Sequence, residues 1–222
     1  MKAWFKMAGY FLLVFFIGGT LYFTIGRPVQ VLPLLDPIPV FELTDHRGET
    51  YSPLERGRLT LYTVGAARDL DNTEKTIDQL ARVYDELEAR GWSDEIDIAM
   101  ISVDPEHDDP TVLQHLAERY ELFQRPGTYL LTGPWVTVKL AVGSGMRIYF
   151  EDPVETDDEL KFVYDQTLVL VDDQGVTRAR YNARQLDLET LTRDIALLRK
   201  EANAEGAVRL AYQAAHLFMC YP

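Results

Sequence analysis

Hydrophobic and polar positions divide the chain into one long uncharged block and a series of short apolar runs separated by turns. Met7 to Ile25 (MAGYFLLVFFIGGTLYFTI) contains no charged residue. At about 1.5 Å per helical residue it is long enough for a hydrocarbon core of roughly 30 Å. Trp4, Phe5, Tyr22 and Phe23 stand near its ends, where aromatic rings favour the headgroup level. Lys2 and Lys6 precede the block and only Arg27 follows it closely. The positive-inside rule therefore predicts a single-pass helix in the cytoplasmic (inner) membrane, with the N-terminus inside and the rest periplasmic. A cleaved secretory signal is the competing reading, but its apolar core spans about 7–15 residues and ends at a small-x-small site that is not evident here.

Residues 27–39 (RPVQVLPLLDPIP) hold four prolines in thirteen positions, a composition that favours an extended spacer over a helix. Phe41 to Gly48 then reads as a short strand and a turn. The runs RLTLYTVG (58–65) and IDIAMISV (96–103) have the length and β-branched content of buried strands. Between them, Ile77, Leu80, Ala81, Tyr84 and Leu87 recur at helical spacing and predict a helix over 74–90, stopped by Gly91. Pro110 to Phe123 opens with a proline suited to a first helical turn and predicts a second helix. A short strand is expected at 129–131 and an amphipathic helix over 135–142. A hairpin is expected across 167–181 around Asp172-Asp-Gln-Gly175, and a last striped helix over 186–200. Strand, helix, strand, helix, then hairpin and helix is the order of an α/β, thioredoxin-like fold, a central mixed sheet with helices on both faces. The predicted organisation is an anchor over 1–26, a Pro-rich linker over 27–39, the thioredoxin-like domain over 40–200, and an apolar, helical tail over 201–222.

Charge and cysteine content narrow the chemistry. The formal net charge is -13, and the first 27 residues contribute three cations and no acid. The body is therefore strongly acidic, a field that repels nucleic acid and anionic lipid surfaces and excludes nucleic acid as a partner. The chain has a single cysteine, Cys220. Every two-cysteine redox mechanism is thereby excluded.

Four motifs in order carry a family resemblance. Phe41-Glu-Leu-Thr-Asp-His-Arg-Gly48 resembles an F-x-L-x-D-x-x-G opening. Ser102-Val-Asp-Pro-Glu-His-Asp-Asp-Pro110 is similar to S-V-D-P-x-x-D-x-P, Leu131-Thr-Gly133 to L-T-G, and Leu170-Val-Asp-Asp-Gln-Gly175 to a D-x-x-G hairpin turn. Together they resemble the SCO/SenC copper-delivery family over about residues 38–200. The resemblance implies a thioredoxin-fold accessory of respiratory oxidase assembly, whose metal is held by two thiolates of a C-P-x-x-C-P loop and one histidine. Aligned without gaps, those three positions fall on Asp69, Thr73 and Gln166. They offer only oxygen or amide donors, which suit neither Cu(I) nor disulfide exchange.

The tail holds the remaining soft donors. On a helix, His216, Met219 and Cys220 share a side, a spacing compatible with a relocated copper site or with an apolar helix docked on the domain. His46, His107 and His115 are isolated. Asp104, Glu106, Asp108 and Asp109 lack the glycine and terminal glutamate of a calcium loop, and are expected to cap the next helix. No nucleophile elbow, phosphate loop or zinc-protease helix is present, so no enzyme is predicted. The expectation is a membrane-held SCO-like assembly factor without cofactor, whose partners are respiratory oxidase subunits or other copper-assembly proteins. A copper carrier using the tail is the alternative, and a thiol-disulfide oxidoreductase fails for want of an active-site cysteine.

Overall fold

The computed structural model describes residues 2–26, 30–155 and 160–218. They form two compact units, residues 1–33 with 194–222, and residues 34–193.

The larger unit is built on β1 (Leu43–Asp45), β2 (Thr50–Tyr51), β3 (Leu59–Gly65), β4 (Ile96–Ser102), β5 (Thr128–Thr132), β8 (Thr167–Val171) and β9 (Thr177–Asn182). Their order in the sheet is β2-β1-β5-β4-β3-β8-β9. β3, β4 and β5 run parallel, and the flanking pairs are antiparallel, so the sheet is mixed. Every residue of β3 and β4 is buried, as expected of strands covered on both faces. Tyr62 and Val64 of β3 join Ala99 and Ile101 of β4, with Leu131, Val169 and Val171, in one core cluster. Strand alternation turns Leu61, Ile98 and Met100 to the opposite side. The β8–β9 turn closes at Gly175, whose φ of 77° suits a residue without a Cβ.

Between the strands lie α2 (Pro53–Arg56), α3 (Leu70–Ala89), α4 (Pro110–Arg119) and α5 (Trp135–Val138); α6 (Leu188–Ala202) follows β9. Helix α3 begins four residues earlier than its apolar spacing predicts. The reason is local: Asp71 lies in the positive first turn and Thr73 is buried there, so a polar stretch becomes helical through its contacts. The stretch from Pro110 splits, because Tyr120 is extended and a 3-10 turn follows over Glu121–Gln124. Asp109 caps α4 as expected, accepting from the Val112 N–H at 2.9 Å. α5 runs on into a π-helical turn, Lys139–Gly145. Sequence periodicity did not anticipate β2, α2, or the excursion between that turn and β8, where β6 (Val154–Glu155) pairs with β7 (Leu160–Lys161) and Phe150 bridges Tyr164.

In the smaller unit, α1 (Lys2–Gly26) holds the apolar block and α7 (Gly206–Phe218) the tail. Val31, Tyr212 and Ala215 cluster with Ala204 packed against them. One expectation is corrected here. Among the described residues no helix is long and apolar enough to cross a membrane. The placement as a single-pass inner-membrane protein with a periplasmic domain is overturned on that ground.

His46 shows how the sheet edge is secured. It is buried, its backbone N–H donates to the Leu130 carbonyl at 2.9 Å, and its Nδ1 accepts from the Leu130 N–H at 3.2 Å. The ring meets Phe123 edge-on at 6.3 Å. Burial, and then the neighbouring Arg47 charge, lower its pKa from 6.5. The unfolded chain therefore takes up this proton before the folded one does, and stability falls as pH drops below about 6.5. Urea midpoints measured between pH 7.5 and 5 are expected to decline, and a His46→Phe variant to decline less over the same range.

Candidate functional site

The parallel strands β3 and β4 end together, Gly65 opposite Ser102, and their carboxyl ends carry the two loops that build the site. In open α/β sheets this end is where ligands bind. Gly65 is required by close approach: a Cβ there would lie 2.8 Å from Met100 Sδ and 3.2 Å from Thr73 Oγ1. The loop after it is held from below. The Ala67 N–H donates to Asp108 Oδ2 at 2.9 Å, and Ser102 Oγ donates to the same oxygen at 2.5 Å. Asp108 is fully buried and its pKa is pushed up by that burial. Arg68 Nε donates to Asp104 Oδ2 at 2.7 Å, while its Nη1 reaches Glu155 at 3.2 Å and its charge lies 6.0 Å from the Phe162 ring centre. His107 Nδ1 sits 2.8 Å from Arg68 Nη2 and 2.9 Å from Asp104 Oδ1, and its tautomer selects between them. The acids of the S-V-D-P stretch thus do more than cap a helix: Asp104 and Asp108 fasten the neighbouring loop.

The three positions aligned with the family ligands converge at the start of α3. Thr73 is completely buried; its Oγ1 donates to the Ala66 carbonyl at 2.8 Å and accepts from the Ala66 N–H at 3.1 Å. Asp69 accepts from Asn72 Nδ2 at 3.1 and 3.0 Å and from the Tyr164 hydroxyl at 2.8 Å. Gln166 Nε2 donates to Asn72 Oδ1 at 3.0 Å, and Gln166 Oε1 accepts from Arg184 Nε at 3.1 Å. Burial, then the bond to Asp69, raises the Tyr164 pKa, so its hydroxyl stays protonated and donates at neutral pH. Each functional atom at positions 69, 73 and 166 is thus spent on a protein partner, and none is sulfur or imidazole. This donor set does not fit a cuprous ion, which favours thiolate, thioether and imidazole.

Asn72, Tyr164 and Arg184 escaped the sequence reading. Nothing local points to any of the three, because their partners come from other segments of the chain. In the tail, His216 Nε2 lies 2.8 Å from Glu201 Oε1. Met219 and Cys220 fall outside the described residues. Among the described residues, no three His, Cys, Asp or Glu side chains are grouped to hold a metal.

The family profile described as SCO1/SenC matches residues 36–199. The chain belongs to the SCO1/SenC family. That family is associated with copper delivery to cytochrome oxidase, as copper chaperones and redox-related proteins rather than conventional enzymes. A comparison with curated proteins found no match. Among solved structures, copper-bound yeast Sco1 is 20% identical, with a TM-score of 0.64 over 84% of this chain and 100% of its own. A SCO1/SenC family lipoprotein from Bacillus anthracis is 16% identical, with a TM-score of 0.65 over 75% of this chain and 97% of its own. Arabidopsis thaliana ScoI with copper bound is 20% identical, with a TM-score of 0.59 over 73% of this chain and 98% of its own. These likenesses establish the thioredoxin-like SCO fold. Chemistry at this chain's site has to be argued from its own residues.

Proposed function

We propose that this SCO-family chain is an accessory factor in the assembly of a respiratory copper oxidase. It acts through contacts with oxidase subunits or other copper-assembly proteins, and holds neither copper nor a redox pair at the family's site. One observation carries the reading: Asp69, Thr73 and Gln166, which align with the family's ligand positions, are hydrogen-bonded to Tyr164, Asn72, Ala66 and Arg184. The anchors from Asp104 and Asp108 meanwhile keep the loop built.

Deleting the coding region should lower the copper content or the assembled amount of the oxidase, and the unchanged chain should restore it. A Cys220→Ser variant should restore it equally, because no thiol is used. Oxidase assembled and metallated normally in the deletion strain would remove the assembly role. Copper carried by His216, Met219 and Cys220 is the competing reading, and Glu201 would orient that imidazole as carboxylates orient metal-bound histidines. Anaerobic Cu(I) titration of the full chain decides between them: stoichiometric binding abolished by Cys220→Ser favours the tail site.

A further inference from the structure

The mismatch between the donor set and copper has a structural counterpart. In the family the metal joins the first turn of the long helix to the residue before the hairpin, and here the same two segments are joined without it. The links form one directed relay. Arg184 donates to Gln166, Gln166 to Asn72, and Asn72 to Asp69, with Tyr164 donating to Asp69 from the other side. Both amides spend a donor and the carbonyl, and the relay ends on a guanidinium at one side and a carboxylate at the other, the kind of hydrogen bond that is stronger than a neutral pair. The links from Gln166 to Asn72 and from Tyr164 to Asp69 span 94 and 95 residues of sequence, so they tie together segments that sequence proximity would not. Thr73 closes the first turn onto Ala66 from within.

We infer that this relay is a permanent substitute for the metal cross-link: Asn72 is its central positioning residue, and residues 66–73 stay fixed against 164–166 whatever the copper or redox conditions. The inference deepens the assembly reading, since a face that never changes with loading can only be recognised by contact, in one form. Its test is independent of that role.

Amide hydrogen exchange on the full chain, carrying Cys220→Ser to silence the tail, reads the cross-link at Ala66, Asp69, Thr73 and Asp165. Those amides donate to Thr73 Oγ1 and to the carbonyls of Ala66, Asp69 and Tyr149. Their rates should change less than twofold on adding Cu(I), a reductant or a chelator. Asn72→Ala, which keeps helix propensity, should speed exchange at Asp69, Thr73 and Asp165 together by about tenfold or more, and Gln166→Ala should do so at Asp165 and Thr73. Arg184→Ala, at the outer end, should have a smaller effect. A tenfold response to Cu(I) in the starting protein would overturn the inference. So would Asn72→Ala and Gln166→Ala both leaving exchange unchanged, or Asn72→Ala loosening only its own helix turn.

Discussion

Replacing Asp69 and Thr73 by cysteine and Gln166 by histidine, in the full chain with Cys220→Ser, is expected to create a site that binds one Cu(I) per chain. The same chain with Asp69, Thr73 and Gln166 intact should bind none there. Positions 69 and 73 lie one helical turn apart at the N-terminus of α3, where the positive end of the helix lowers thiol pKa and favours thiolate. Position 166 is already within one hydrogen-bonded residue of position 69, through Asn72. The substitutions also remove every side-chain hydrogen bond of Asp69, Thr73 and Gln166, to Tyr164, Asn72, Ala66 and Arg184. At about 1 kcal/mol net for each ordinary hydrogen bond, loss of the bonds to Tyr164 and Ala66 alone should make the apo variant at least about 3 kcal/mol less stable than the starting chain. Copper binding to the folded state should return part of that loss. Anaerobic titration with a competing Cu(I) chelator, paired with thermal denaturation with and without metal, measures both. A variant that folds yet stays metal-free would show that the backbone here no longer presents the three positions to a common point.

The second large effect lies at the opposite end of the sheet. Asp97 is wholly buried at the start of β4, 2.5 Å from Arg56 Nε and 3.0 Å from Arg58 Nη1. Arg56 also bonds the Tyr129 hydroxyl and lies 4.6 Å from the Tyr129 ring centre. Removing the buried Asp97 takes the counter-charge from two arginines that are themselves only partly buried, at a cost near the low end of the roughly 3–5 kcal/mol seen for fully buried pairs. Asp97→Ala should therefore lower the denaturant midpoint more than any single substitution at the degenerate site. Arg58→Ala should cost much less, since Arg56 still neutralises Asp97. A double-mutant cycle between Asp97 and Arg56 should give a coupling well above the roughly 0–1 kcal/mol of surface pairs. A loss below about 1 kcal/mol for Asp97→Ala would mean that the arginines find water instead.

Much of the domain was legible because its signals are local. The runs at 59–65 and 96–102 are apolar on successive residues, which marks strands covered on both faces, and the i, i+3, i+4 spacing from Ile77 to Leu87 marks a helix. The four motifs pointed to the family, and the gap-free alignment they anchor singled out positions 69, 73 and 166. The long uncharged block misled about location: its composition suggested a membrane crossing, but among the described residues no helix is long and apolar enough to make one. β2 and α2 were missed because two- and four-residue elements carry too few positions for any period to register.

Asp97 and Asp69 divide the two kinds of knowledge. A carboxylate inside an apolar strand, or in place of a cysteine, is visible in the sequence, and its residue type alone rules out soft-metal and disulfide chemistry. The chain by itself thus determined the fold class, the family and the residue types at positions 69, 73 and 166. Only the tertiary structure decided what those carboxylates do instead, because their partners Tyr164, Arg56 and Arg58 come from distant segments or other elements. Side-chain hydrogen bonds and ion pairs act over a few ångströms in space, and no periodicity along the chain encodes which distant group folding will bring within that range.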